Sequence, residues 1–261
     1  MAPGGELISE RRGPALVLTF NRPEKLNAIS SAMLHALDEG LDHAGADQSV
    51  RAVVLTGAGD RAFVAGADIA EYAEADHEAF VRYQKESRRI FTRIDRFPKP
   101  VIGAVNGYAL GGGFEIALCC DVLIASRNAR FGLPEGLLGL SPGGGGTQRL
   151  TRAAGPFVAA DVLLAARRLS AEDAFRLGLV VRVVEQRELL DAALAKAKEM
   201  ANVAPASSRG MLGLVETAME APLEEGLSAE HDVLFRLHRT ADAEEGIRAF
   251  VEKREPRFTG D

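Results

Sequence analysis

Glu115 and Glu135 lie twenty positions apart, each beside a glycine-rich turn. The first closes Val105-Asn106-Gly107-Tyr108-Ala109-Leu110-Gly111-Gly112-Gly113-Phe114-Glu115, and the second sits in Phe131-Gly132-Leu133-Pro134-Glu135-Gly136. Glu115 leads into the apolar run Ile116-Ala117-Leu118-Cys119-Cys120. An ionised side chain entering such a run must find a partner, change protonation state or take part in chemistry. Three consecutive glycines let a reacting group approach bare backbone amides. Two carboxylates around one solvent site can act as base and acid in turn. Taken singly, each has a plainer reading. A first-turn glutamate is stabilised by the helix macrodipole, by ~0.3 to 1 kcal/mol, and Pro134-Glu135 suits the first two positions of a short helix.

These residues must be positioned by an alternation of strands and helices. Leu7 to Arg11 and Ala15 to Phe20 flank Gly13-Pro14 as a hairpin, and Ser30 caps a helix whose Met33, Leu34, Leu37 and Leu41 share one face. Ala52 to Thr56, Val101 to Val105, Val122 to Ala125 and Val180 to Val184 are short buried strands. A helix from His77 to Ile94 is stopped by Phe97-Pro98-Lys99-Pro100. The pattern predicts an α/β fold. Beyond residue 200 the strands cease, and Ser207 to Met219, Pro222 to Arg239 and Ala243 to Lys253 read as helices. Their apolar faces must pack on the main body or on another subunit. No sequence repeat is evident.

Composition narrows the function. With 261 residues, 47% hydrophobic, the chain can bury a large core without staples. A net charge of -6 offers no basic face for nucleic acid, and the clusters Arg88-Arg89 and Arg167-Arg168 read as solvated helix surface. The adjacent Cys119 and Cys120 are expected to be buried free thiols in a reducing compartment. The five histidines form no metal-ligating pair, so no metal is expected. No basic leader precedes an apolar core and no run approaches ~18 apolar residues, which predicts a cytoplasmic protein without a membrane span.

Taken in order, Gly66-Ala67-Asp68-Ile69, the glycine run through Glu115 with Asp121, and Phe131 to Glu135 leading to Gly143-Gly144-Gly145-Gly146-Thr147-Gln148-Arg149-Leu150 resemble the enoyl-CoA hydratase/isomerase (crotonase) family. Similarity extends to Asn21-Arg22-Pro23-Glu24-Lys25-Leu26-Asn27-Ala28 and Phe250-Val251-Glu252-Lys253-Arg254. The resemblance implies a crotonase-type spiral of ββα turns over residues 1–200, and a C-terminal helical region, 201–261, that mediates homotrimers or a dimer of trimers. It implies reversible syn hydration of 2-enoyl-CoA to 3-hydroxyacyl-CoA in fatty-acid or related acyl-CoA breakdown. Glu115 would act as base on water and Glu135 as proton donor at Cα, with Ala67 and Gly112 amides as the oxyanion hole and Gly143 holding the water. Coenzyme A, part of the substrate and not a separate cofactor, would contact Glu24, Lys25, Leu26, Ala67, Asp68, Ile69 and Ala70. Phe250 and Lys253 would reach a neighbouring subunit's ligand. Many members carry a basic residue where Glu24 stands; Lys25 follows immediately. Two rival readings stay open: isomerisation of 3-enoyl-CoA to 2-enoyl-CoA, which needs one carboxylate, and a non-catalytic or RNA-binding protein on the same fold.

Overall fold

Leu7–Arg12 (β1) and Ala15–Phe20 (β2) pair antiparallel across Gly13, whose φ of 57° is the left-handed conformation that glycine adopts without strain. This is a computed structural model that describes residues 5–260. The helix Ser31–Ala46 (α1) begins where the Ser30 hydroxyl accepts from the Met33 amide at 3.0 Å, and it buries Met33, Leu34, Leu37 and Leu41 as its periodicity predicts.

From there the chain repeats one manoeuvre: a strand joins a large sheet, a short strand joins a second sheet, and a helix closes the turn. The first turn is Ala52–Gly57 (β3), Ala62–Val64 (β4), then Ile69–Glu74 (α2) and His77–Asp95 (α3). The second is Val101–Val105 (β5), Tyr108–Leu110 (β6) and Gly112–Ala117 (α4). The third is Val122–Ser126 (β7), Arg130–Gly132 (β8), a 3-10 turn at Pro134–Leu138, then Gly146–Ala154 (α5) and Pro156–Leu164 (α6). Leu169–Ser170 (β9), Ala171–Arg176 (α7), Arg182–Val184 (β10) and Leu189–Ala201 (α8) complete the body.

Among the described residues the large sheet runs β1-β2-β3-β5-β7-β10 and the small one β4-β6-β8-β9. The strands β2, β3, β5, β7 and β10 are mutually parallel, as are β4, β6 and β8. Both faces of such strands are covered, which is why Val101–Val105 is apolar and buried throughout. The repeat is thus structural although the sequence shows no periodicity.

Two buried asparagines hold the crossings between sheets. Asn106 Nδ2 donates to the carbonyls of Gly57 (2.9 Å), Gly59 (2.9 Å) and Ala62 (3.1 Å), and its Oδ1 accepts from the Gly57 amide. Asn27 Nδ2 donates to Ala62 (2.8 Å) and Ala58 (3.1 Å). Buried main-chain carbonyls at these turns would otherwise go unpaired.

Pro205–Glu220 (α9), Leu223–Leu237 (α10) and Ala241–Glu252 (α11) follow the body. Helix α9 packs on α10, and Arg96 ties it to the body through Glu216 at 2.6 Å. The body does not cover these helices: Val215, Leu223 and Phe235 are 67%, 75% and 60% exposed. Of the two expected destinations for their apolar faces, packing on the chain's own body is therefore corrected for these residues. Cys119 is buried, Cys120 is partly so, and neither is bridged.

Candidate active site

Helix α4 starts at Gly111, whose φ of 53° and ψ of -127° suit glycine alone, so Gly112 takes the first helical position and Glu115 the first turn. Glu115 is 4% exposed. Its Oε1 accepts from the amides of Gly144 and Gly146, both at 2.8 Å. That segment is held in turn by Arg149 of α5, which donates to the Gly144 carbonyl at 2.9 Å and pairs with Asp95 at 2.8 Å. A side chain at 144 would not fit: a methyl group there would meet the Phe91 ring at 2.5 Å and Glu115 Oε2 at 2.7 Å.

Glu135 enters from the Pro134–Leu138 turn. Its Oε2 is buried and, among the described residues, has no hydrogen-bond partner. Both glutamates line one cavity of about 510 Å³, together with Ala67, Ile69, Gly112 and Gly143. Among the described residues neither the Ala67 nor the Gly112 amide has a hydrogen-bond acceptor, although the adjacent amides of Asp68 and Gly111 do. Two unused main-chain donors and two carboxylates therefore share one pocket.

The remaining residues read as ligand contacts are distributed differently. Asp68 caps α2 through the Ala70 amide at 3.2 Å and pairs with Arg22 at 2.8 Å and Lys25 at 3.1 Å. Its carboxyl is held below the ordinary range, chiefly by Arg22. Leu26 adopts a φ of 53° and its carbonyl accepts from Ala65, so the Pro23–Lys25 turn sits beside the Ala65 to Ala67 strand edge. Glu24, Lys25, Leu26, Asp68 and Ala70 do not line the cavity. Phe250 on α11 and Lys253 at its C-cap do not line it, and Phe250 is 85% exposed.

Several cavity residues carried no sequence signal. Tyr72, from the six-residue α2, accepts a 2.6 Å hydrogen bond from Gln84, and Tyr83 donates to the Ile29 carbonyl at 3.1 Å. Burial pushes the Tyr72 hydroxyl up to about 12. Arg88 and Arg89 are both exposed, as the reading of a solvated helix surface expects; Arg89 pairs with Asp38 and Glu86, and Arg88 with Lys85 edges the cavity. Position along α3 decides this, since adjacent residues point about 100° apart around a helix axis.

Electrostatics separate the acids. Burial raises the Glu115 pKa, while the amides of Gly146 and Gly144 and the Arg149 charge favour its carboxylate. Glu135 is pushed up to about 7 by burial first and by the neighbouring Glu115 charge as well. Two interacting acids of this kind titrate as a pair, and the second proton is the hard one to remove. Stability carries the same signature. In the unfolded chain Glu135 ionises near 4.3, so as pH rises from there through about 7 the folded state is penalised. Glu135→Gln is accordingly expected to be more stable than wild type at pH 8, by roughly 1–3 kcal/mol, and equal to it at pH 4. Thermal melts at both pH values check this; equal Tm at pH 8 would mean burial does not disfavour the Glu135 carboxylate.

Stacked ββα turns around such a pocket define a crotonase-fold protein. The crystal structure of an enoyl-CoA hydratase from Bacillus anthracis matches with a TM-score of 0.95 at 35% identity, covering 98% of this chain and 100% of that one. A family model described as enoyl-CoA hydratase/isomerase matches residues 10–261, and the chain belongs to that family. A short-chain-enoyl-CoA hydratase of Clostridium acetobutylicum is 41% identical over 95% of this chain and 95% of its own. A 2,3-dehydroadipyl-CoA hydratase of Escherichia coli is 42% identical over 98% and 99%. Among the described residues no helix is long and apolar enough to cross a membrane.

Proposed function

We propose that this chain reversibly hydrates the double bond of a 2-enoyl-CoA thioester. One observation carries the reading: a carboxylate held by two amides and a second carboxyl without a partner face the same cavity as two unused main-chain donors. The thioester oxygen is taken up by the Ala67 and Gly112 amides, the latter at the positive end of α4. Donors aimed at the charge that develops in an enolate-like transition state typically contribute ~2.7 to 4 kcal/mol each. Glu115, ionised, takes a proton from water as the oxygen bonds to Cβ, and Glu135, protonated, delivers one to Cα. Because Glu115 and Glu135 line the same cavity, both protons move on one face of the acyl group, and addition is syn. The Gly143 amide helps to hold the water.

Coenzyme A lies along the Pro23 to Leu26 turn and the Ala67 to Ala70 backbone, where Arg22 and Lys25 gather positive charge against Asp68. The exposed apolar residues of α9 to α11 close against neighbouring copies in a trimer or dimer of trimers, bringing Phe250 and Lys253 to an adjacent subunit's ligand. We place the boundary of this oligomerising region at residue 201. The free thiols Cys119 and Cys120 are in keeping with a cytoplasmic enzyme, and the chemistry calls for no cofactor beyond the substrate's own coenzyme A.

The test is the loss of 2-enoyl thioester absorbance with crotonyl-CoA, read across pH. The productive pair holds one proton, on Glu135 in hydration and on Glu115 in dehydration, and water addition consumes no net proton. Both directions should then share one bell-shaped kcat/KM profile. Its alkaline limb should fall near pH 7, where Glu135 ionises in the free enzyme. A profile flat from pH 5 to 9, or no turnover, would overturn the assignment.

A further inference from the structure

We propose that Gln84 of α3 is a third protein group on the attacking water, its Oε1 accepting the hydrogen that Glu115 does not take. The inference rests on the hydratase reading above and completes the water site of that reaction. A water about to bond to Cβ gives one lone pair to carbon. The other lone pair can accept from an N–H, and each hydrogen needs an acceptor. Glu115 takes one hydrogen, and the Gly143 amide can donate to the lone pair. Glu135 has no oxygen to spare: its Oε1 lies against the cavity residue Gly111 and brings a proton to Cα, while its Oε2 is buried. One hydrogen of the water is left over.

Gln84 supplies the missing acceptor. It lines the cavity with Glu115 and Gly143, and it stands on the same face of α3 as Phe91, about two helical turns further on. Its Nε2 donates to the Tyr72 hydroxyl at 2.6 Å, which leaves Oε1 to point elsewhere. Oε1 is the first atom that a methyl group on Gly143 would meet, with the Gln84 Cδ next at 3.3 Å. On the following residue, a methyl group at Gly144 would come within 2.7 Å of Glu115 Oε2. Consecutive Cα atoms are about 3.8 Å apart, so the two oxygens border one short stretch of chain. Among the described residues nothing donates to Gln84 Oε1 or to Glu115 Oε2, and the Gly143 amide has no acceptor. Two free acceptors and one free donor are what such a water requires.

Tyr72 fixes the direction of the amide. Its ring meets Phe80 and Tyr83 edge-on, at centroid distances of 5.2 and 5.3 Å, and burial keeps its hydroxyl protonated. An amide held this way presents its oxygen, and not its N–H groups, to the water. A neutral acceptor suits the task. The hydrogen it holds stays on oxygen as the hydroxyl of the product, whereas a further carboxylate would compete with Glu115 for the proton.

The experiment compares wild type with Gln84→Leu and Tyr72→Phe. In crotonyl-CoA hydration Gln84→Leu should lower kcat by about tenfold with KM within about twofold, and Tyr72→Phe, which frees the amide without removing it, by about two- to fivefold. The control reaction is exchange of the α-proton of butyryl-CoA in D2O. There the Glu135 carboxylate takes the proton as the enolate forms on the Ala67 and Gly112 amides, then returns a deuteron, and no water attacks carbon. Both variants should exchange within about twofold of the wild-type rate. Equal losses in hydration and exchange would reduce Gln84 to a support of the site and overturn the proposal, as would full hydration by Gln84→Leu. Binding reads the contact without turnover. In a Glu135→Gln background, calorimetry should show 3-hydroxybutyryl-CoA, whose hydroxyl takes the water's place, binding more tightly than butyryl-CoA, and adding Gln84→Leu should narrow that gap by about tenfold. An unchanged gap overturns the proposal. A gap that depends on Gln84, in a protein whose wild type hydrates no enoyl thioester, would retire the hydratase reading and support this contact.

Discussion

Glu115→Gln is expected to lower kcat for hydration of crotonyl-CoA by roughly 10² to 10⁴-fold while leaving thioester binding and fold intact. The amide oxygen of Gln can still accept from Gly144 and Gly146, so the side chain stays where it is. What is lost is the ability to take a proton from water. Removing a buried negative charge costs the fold nothing, since burial disfavours that charge already. The same variant separates the rival reaction. Isomerisation of a 3-enoyl thioester moves one proton between carbons, and Glu135 alone can carry it. A variant that keeps the full hydration rate would sink the two-carboxylate mechanism. One that loses hydration but retains rapid 3-enoyl to 2-enoyl conversion would show that Glu135 acts without its partner in that reaction.

Gly113→Ala is expected to damage both stability and rate. A methyl group at that position would lie 1.9 Å from the Val64 carbonyl oxygen and 2.7 Å from its carbon. Main-chain atoms cannot rotate aside as a side-chain tip can, so α4 must move away from β4. Overpacking of this kind typically costs ~1 to 3 kcal/mol. The Gly112 amide, one residue away, is carried off with the helix. Misplacing one oxyanion donor typically removes 10² to 10³ in kcat. Thermal denaturation and crotonyl-CoA turnover on the purified variant measure the two effects. Gly112→Ala is the comparison: its methyl would come closest to Ile29 Cδ1 at 3.1 Å, a side-chain end that can yield, with Phe91 Cζ at an ordinary 3.8 Å. Gly113→Ala with wild-type Tm and rate would mean that the close approach of α4 to β4 is not what sets the donor.

The long elements were legible because each carries its own pattern. The Ser30 cap with Met33, Leu34, Leu37 and Leu41 marked α1, the apolar run at Val101–Val105 marked β5, and the proline pair after Phe97 marked the end of α3. The second sheet was not legible. Its strands β4, β6 and β8 are three residues each, too short to show a period, and their pairing depends on neighbours in space. Helix α2, six residues between a loop and α3, escaped for the same reason, and with it Tyr72.

The sequence by itself determined the chemical inventory: two glutamates beside glycine turns, small residues where a thioester must touch main chain, and Ser30 placed to cap a helix. Residue type and local spacing suffice for that, because a turn, a cap and a helix start are settled within a few positions. Only the tertiary structure decided which of these groups meet. Glu115 is held by amides 29 and 31 residues ahead of it, and Arg149 reaches back 54 residues to Asp95. Glu135 Oε2 is left without a partner, and Lys85 and Arg88 edge the cavity while Arg89 does not. Such relations are fixed by how the ββα turns stack and by the angle at which α3 lies on them. No stretch of neighbouring residues encodes them, because they arise from burial shared between distant segments.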